Sequence, residues 1–320
     1  MTEWHNGIVR ISIPTPFPVG DVNVFLIKGD LLTLVDTGVK TPAGRYALEE
    51  GLKKLGYKLE DIEQVIITHH HPDHVGGADF FGMNVPLAGH PNNQRWLELS
   101  EDFISQLDEF FLDFASLAGI PSEMKHHVKK FRGALKYNCD RTLTNMITDK
   151  QELPGLPGWM AVETLGHAQS HLSFFREQDG AMIGGDFLLE KISPNPLIEP
   201  PFEPGKDRPR PQLQFNASLR KLIAMPVSKV YAGHGDEVEN VKELANLRIN
   251  RQHERAMHVR QLVENKPSTA YELCTLLFPK VFRKEPGLTL SETVAQLDYL
   301  LDLGEIKEEQ SAHGNIYSVS

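Results

Sequence analysis

With 320 residues, 40% of them hydrophobic, the chain is long enough for one large domain plus a small one around a substantial core. Its formal net charge of −10 gives no electrostatic reason for the whole protein to bind nucleic acid or an anionic membrane, which leaves only local basic patches for such partners. Cys139 and Cys274 lie far apart and outside any CxxC pattern, which argues against a disulfide framework or thiolate zinc site; with no secretory signal and no apolar run of transmembrane length, a cytoplasmic setting is expected.

The chain opens on strand-like segments at 8–13 and 22–27, followed by Leu31 to Val35, which runs into the turn Asp36-Thr37-Gly38. Thr41-Pro42 can cap and start a helix reaching Gly56, with Tyr46, Leu48, Leu52 and Leu55 on one side. The apolar run Val65-Ile66-Ile67 reads as a buried strand ending in the loop Thr68-His69-His70-His71-Pro72-Asp73-His74-Val75-Gly76-Gly77. His69 and His71 are two apart, so an extended backbone sends both imidazoles the same way, and Pro72 stiffens the turn that brings Asp73 and His74 round. One short loop can thus serve two cations. Imidazole and carboxylate donors suit zinc first and leave iron or manganese open. A helix is expected to open at Gly76-Gly77-Ala78 with its positive end toward this loop, followed by a strand from Asn84 to Ala88.

Between His90 and His167 the chain is longer than a strand-to-strand link needs, and Phe103, Leu107, Phe110, Phe111, Phe114 and Leu117 recur at helical spacing. This is a helical insertion, about residues 98–150, whose aromatic stripe serves packing, a lid, or the contact of a homodimer. His126-His127, among lysines, reads as a solvated helix face. Strands are expected from Met160 to Leu165, Leu172 to Arg176, Ala181 to Ile183 and Lys229 to Ala232. The proline-rich segment 193–211 can be neither regular helix nor central strand and must be a long loop, with Asn195 as a polar substrate contact and Lys206, Arg208 or Arg210 as anion holders or solvated cations. A charged helix over 241–264 follows. Thr269-x-x-Glu272 and Thr289-x-x-Glu292 match capping boxes and mark two further helix starts; Val294, Leu297, Leu300 and Leu301 give the last helix its core face, and a hairpin around His313-Gly314 ends the chain.

The run H-x-H-x-D-H from His69 to His74 resembles the metal-binding loop of the metallo-beta-lactamase superfamily of hydrolases. That resemblance implies an α+β fold, an αββα sandwich of two mixed sheets flanked by helices, over residues 1–240. It also implies three further ligands on loops that follow strands, and His167, Asp186 and His234 stand in the expected order. By similarity, His69, His71 and His167 hold one metal, Asp73, His74 and His234 the other, and Asp186 bridges them. Asp73 doubles as the catalytic carboxylate. Asp36, in a D-T-G turn like that of the superfamily, and His171 are expected to support the ligands from behind; His90 lies outside a set already filled and is expected to be satisfied by hydrogen bonds. Residues 241–320 resemble the winged-helix domain carried by one branch of the superfamily.

Two divalent metal ions would activate water against an ester, thioester, lactone or similar small substrate, as in hydroxyacylglutathione hydrolases. Endoribonuclease action on single-stranded RNA is an alternative that charge disfavours, and an iron-dependent sulfur oxygenase is another. DNA is a poor partner, because the helix at the recognition position carries Glu292, Asp298 and Asp302 without Lys or Arg. Antibiotic resistance is disfavoured by the missing export signal.

Overall fold

The computed structural model describes residues 4–203 and 205–320, with side chains outside 125–132. His126 and His127 therefore lie outside the described residues. Among the described residues, thirteen strands form three sheets. In the first, β1 (Ile8–Ile13), β2 (Val22–Lys28) and β3 (Leu32–Val35) run antiparallel, and β3, β4 (Gln64–Ile66), β5 (Leu87–Gly89) and β6 (Asn145–Met146) run parallel. The second has the order β10-β9-β8-β7, built from β7 (Trp159–Glu163), β8 (Leu172–Arg176), β9 (Ala181–Gly185) and β10 (Lys229–Ala232); β9 and β10 are its parallel neighbours.

Both sheets are mixed and pack face to face. Phe25, Ile27, Val35 and Ile66 from the first meet Trp159, Leu172, Phe174 and Ile183 from the second in one buried layer. The outer face of the first sheet is covered by α1 (Pro42–Lys54), which buries Leu48 and Leu52 against Ile11, Val24 and Val65. Thr41 caps that helix by accepting from Gly44 N, and Pro42 occupies its first turn. The inner strands β2, β4, β5 and β9 are buried along nearly their whole length because both their faces are covered, and the result is the expected helix-sheet-sheet-helix sandwich.

The expected helix at Gly76 begins earlier. Pro72–Val75 forms a short α2, with His71 at its cap position, and a 3-10 stretch takes over from Gly76 to Phe80. The two glycines serve close approach instead of initiation: a Cβ on Gly76 would meet Tyr137 O at 2.3 Å, and one on Gly77 would meet Thr37 O at 2.2 Å. The strand expected from Asn84 is confined to Leu87–Gly89.

In the insertion, α3 (Gln94–Glu98) and α4 (Glu101–Leu117) precede a long 3-10 segment, Ser122–Tyr137. The aromatic stripe of α4 is packing. Phe103 and Leu107 bury against Trp96, while Phe114 and Ala115 enter a core shared with the C-terminal helices. The later helices are α5 (Pro211–Ala224), α6 (Val241–Asn265), α7 (Ala270–Leu277) and α8 (Pro286–Asp302). Helix α5 and the first turns of α6 cover the second sheet with Phe215, Leu219, Leu222, Val241 and Leu244. Strands β11 (Ser268–Thr269), β12 (Ile306–Ser311) and β13 (Gly314–Val319) form the third sheet in the order β11-β13-β12.

Thr269 and Glu272 form the expected capping box of α7. Thr289 and Glu292 do not form one. Helix α8 starts three residues before Thr289, whose hydroxyl donates to Glu285 O inside the helix, while Glu292 is buried and paired with Arg255. Asp298 is likewise buried, in a two-pronged pair with Arg208 at 2.7 Å for each contact. Arg208 is thus committed to Asp298 and is no anion holder.

Candidate metal centre

Strands β3, β4, β7, β9 and β10 all point their carboxyl ends to one edge of the sandwich, since β7 and β9 both run opposite to β8. The two sheets are tied together there: Asn23 N donates to Gly233 O at 2.7 Å and Leu172 N to Thr68 O at 2.8 Å. The loops leaving these strands carry Asp36, His69 to His74, His167, Asp186 and His234. All seven expected ligands converge. Donor atoms of His69, His71 and His167 lie within 4.8 Å of one another, as do those of Asp73, His74 and His234, and a third overlapping group joins His69, His74 and Asp186. The Asp186 carboxylate sits between the halves, with Oδ1 3.4 Å from His74 Nε2 and Oδ2 3.5 Å from both His167 Nε2 and His234 Nε2. Asp73 Oδ2 lies 3.4 Å from His234 Nε2.

Four of the inward-facing rings are held by their Nδ1, while His71 Nδ1 faces His69 Nε2 at 2.8 Å inside the cluster. His74 Nδ1 meets Asp36 Oδ2 at 2.7 Å, His167 Nδ1 meets Asn195 O at 3.0 Å, His234 Nδ1 meets Asp21 O at 2.7 Å, and His69 Nδ1 meets Thr68 Oγ1 at 3.0 Å. With Nδ1 donating to a fixed oxygen, Nε2 is the nitrogen left facing the cluster, where a metal ion can take the place of a proton. The Nε2 atoms of His74, His167 and His234 and the Oδ1 of Asp186 are buried without a hydrogen-bond partner. Orphaned buried polar atoms of this kind are costly unless something binds them, and this set of imidazole nitrogens and carboxylate oxygens fits first-row divalent ions. The residues present therefore fit a metal centre.

Electrostatics divides the cluster. Burial, with the neighbouring histidines, holds His69 and His71 well below the ordinary imidazole range, and burial likewise lowers His167, which favours their neutral, ligating form. Burial acts the same way on His74 and His234, but Asp186 outweighs it, with Asp36 adding at His74 and Asp73 at His234. His74 is pushed well above its usual value and His234 up to about 10. This half of the cluster attracts positive charge.

The supporting residues are also in place. Asp36 accepts from Thr68 N and Thr68 Oγ1 as well as facing His74, and His171 spans Thr164 Oγ1 and Asp186 N at 2.8 and 3.1 Å. His70 points away from the cluster, stacked on Trp96 with ring centroids 4.3 Å apart and Nδ1 on Ser170 Oγ. His90 lies apart, bonded to Asn92 N and Glu163. Sequence reasoning missed the Asp21 carbonyl, which no side-chain pattern could signal, and the buried Glu199, whose Oε1 accepts from Gln169 N at 2.9 Å in the loop that bears His167.

The family pattern of the Metallo-beta-lactamase superfamily matches residues 17–234. The chain belongs to the metallo-beta-lactamase superfamily. It is 40% identical over 293 residues to a probable metallo-hydrolase of Bacillus subtilis (strain 168), YqjP, covering 92% of each chain. Among solved structures, a metallo-beta-lactamase family protein of Thermus thermophilus superposes with a TM-score of 0.81 at 30% identity over 99% of both chains. A beta-lactamase domain protein of Burkholderia ambifaria shares the fold at 22% identity and a TM-score of 0.81, covering 99% of this chain and 94% of the other. Members of the superfamily usually bind divalent metal ions, and this member is a metallo-hydrolase with a His/Asp cluster suited to them. No described helix is long and apolar enough to cross a membrane.

Proposed function

We propose that the chain is a dinuclear metal-dependent hydrolase of small esters, thioesters or lactones, with a core like that of hydroxyacylglutathione hydrolases. The observation that carries this reading is the pattern of singly anchored imidazoles at His74, His167 and His234: one nitrogen of each of these rings is fixed to the protein, and the other faces Asp186, with Asp73 beside His234. His69, His71 and His167 form one binding half, Asp73, His74 and His234 the other, and Asp186 is shared between them, as its two oxygens suggest. Zinc suits the all-nitrogen-and-oxygen set best.

When bound, such ions lower the pKa of coordinated water to about 7 and polarise the substrate oxygen under attack. The protein's part is orientation and proton handling. Asp73 lies beside His234 in the cluster, Oδ2 3.4 Å from His234 Nε2, where it can orient the attacking water and take its proton. Asp36 and His171 hold His74 and the Asp186 backbone, so the acceptors stay aimed without reorganisation.

We read residues 1–240 as the hydrolase domain, with its insertion near 98–150, and residues 241–320 as a winged-helix domain adapted to packing. Burial of Glu292 and Asp298 against Arg255 and Arg208 supports that role, since a recognition helix for DNA would present its face to solvent. Purified protein assayed against a panel of thioesters, lactones, phosphodiesters and RNA tests the substrate class. Turnover of a thioester or lactone that chelator abolishes is expected; turnover confined to RNA would overturn the small-molecule reading.

A further inference from the structure

Between β9 and α5 the described residues, 186–203 and 205–210, have no regular structure, and their prolines at 194, 196, 200, 201 and 209 cannot donate backbone hydrogen bonds. Something other than its own backbone has to hold it. Helix α8 does so at three points. Asn195 Nδ2 donates to Leu288 O at 3.0 Å, Ile198 N donates to Ser291 Oγ at 3.2 Å, and Arg208 grips Asp298. Positions 288, 291 and 298 are three and seven apart, so they share one face of the helix, and the loop is clipped along that face like a strap on a rod. The first clip lies next to the metal centre. The same Asn195 that reaches Leu288 with its side chain accepts, through its own carbonyl, the hydrogen bond from His167 Nδ1.

We propose that Asn195 is a positioning residue through which α8 holds His167, making the C-terminal unit a brace of the metal centre. His167 comes from a loop with a glycine at φ 129 and has Asn195 O as the hydrogen-bond partner of its outer nitrogen. If that carbonyl drifts, the ring loses the contact that selects its tautomer and aims Nε2 inward. The side chain of the half-buried Asn195 donates to a backbone carbonyl of α8, while Arg248 of α6 holds the loop at Ile192 O, so the placement of α8 reaches the imidazole through two hydrogen bonds made by one residue. This deepens the metal-centre reading and rests on it.

The test uses the full-length protein loaded with zinc. Zinc release into excess EDTA is timed with a colorimetric indicator, and the Tm of the metal-free form is recorded beside it. Asn195→Ala and Asn195→Asp are expected to release zinc about tenfold faster, the low end of the effect of removing a hydrogen-bond partner behind a metal ligand. Ser291→Ala, which frees the second clip without touching the Asn195–His167 contact, should accelerate release by a smaller factor, while Asn246→Ala on the exposed face of α6 should not. A fall in Tm with release at the parent rate would make Asn195 merely structural and overturn the brace alone. A parent protein that takes up no zinc or other first-row divalent ion would overturn the metal centre, and the brace with it.

Discussion

Asp36 has a backbone φ of 59, a left-handed conformation that a non-glycine residue adopts at a cost of about 1 kcal/mol or more. Its carboxylate offsets that strain by accepting from Thr68 N and Thr68 Oγ1 and by fixing His74 Nδ1. Asp36→Asn keeps the turn but replaces one acceptor oxygen by a donor, and should weaken metal affinity about 10- to 100-fold in a chelator competition titration while the protein stays folded. Asp73→Asn is expected to cut turnover at least about a hundredfold with little change in Tm, because the substitution keeps the side chain's size and removes the carboxylate that takes the proton of the reacting water. Glu199 makes a different kind of statement. Burial raises its carboxyl to about 7 against the opposing pull of the Gln169 N–H and Arg95, so the folded protein keeps a proton that the unfolded chain gives up near 4.5. Its contribution to stability is complete below pH 4.5 and is lost as pH rises through 7. Glu199→Gln should flatten that part of the stability–pH profile and be more stable than the parent at pH 8, by up to about 3 kcal/mol in denaturant titrations. Of the candidate ligands, His69, His71, Asp73 and His74 could be read from the sequence because a strand and a stiff turn place them within a few residues of one another, whereas His167, Asp186 and His234 were reached only through the family resemblance. Glu199 and Asp21 could not, because their partners lie in distant loops and half the contacts are to backbone atoms.

At the scale of the element, Gly166 shows how a strand end delivers a ligand. Its φ of 129 is disfavoured for other residues, and an added Cβ would lie 2.5 Å from the Phe215 side chain and 2.6 Å from its backbone nitrogen on α5. Gly166→Ala should therefore displace His167 or α5, and we expect a loss of several degrees in Tm together with reduced metal content. Strand positions were legible from apolar runs that end in a polar residue, after a glycine at β7, β9 and β10, which is why these strands and β4 fall near where they were expected. Helix starts were less so. At Thr289 the capping pattern lies inside a helix that Pro286 had already begun, and at Gly76 the glycines mark close packing after a helix opened by Pro72. A capping signal is local, whereas the start of α8 is fixed by what its whole face buries.

Across the whole molecule, the insertion and the C-terminal unit share a core in which Phe114, Ala115 and Ile120 meet Val259, Leu273, Leu290, Val294 and Leu297. Gly119 and Gly314 approach so closely that a Cβ on Gly314 would meet the Gly119 backbone at 2.7 Å. A chain cut after residue 240 would strip that core and leave the 186–210 loop without its clips, so we expect it to aggregate or to unfold without a cooperative transition. Composition hinted at a separate small module; the shared core was invisible because it joins segments far apart in the sequence. The candidate metal centre lies where both sheets end, and it carries the functional account. Elemental analysis of the full-length protein before and after exhaustive chelation, paired with thioester or lactone hydrolysis, addresses it most directly. About two first-row divalent ions per chain are expected, with activity lost on their removal and regained on their return. Hydrolysis that continues unchanged in metal-free protein would contradict it.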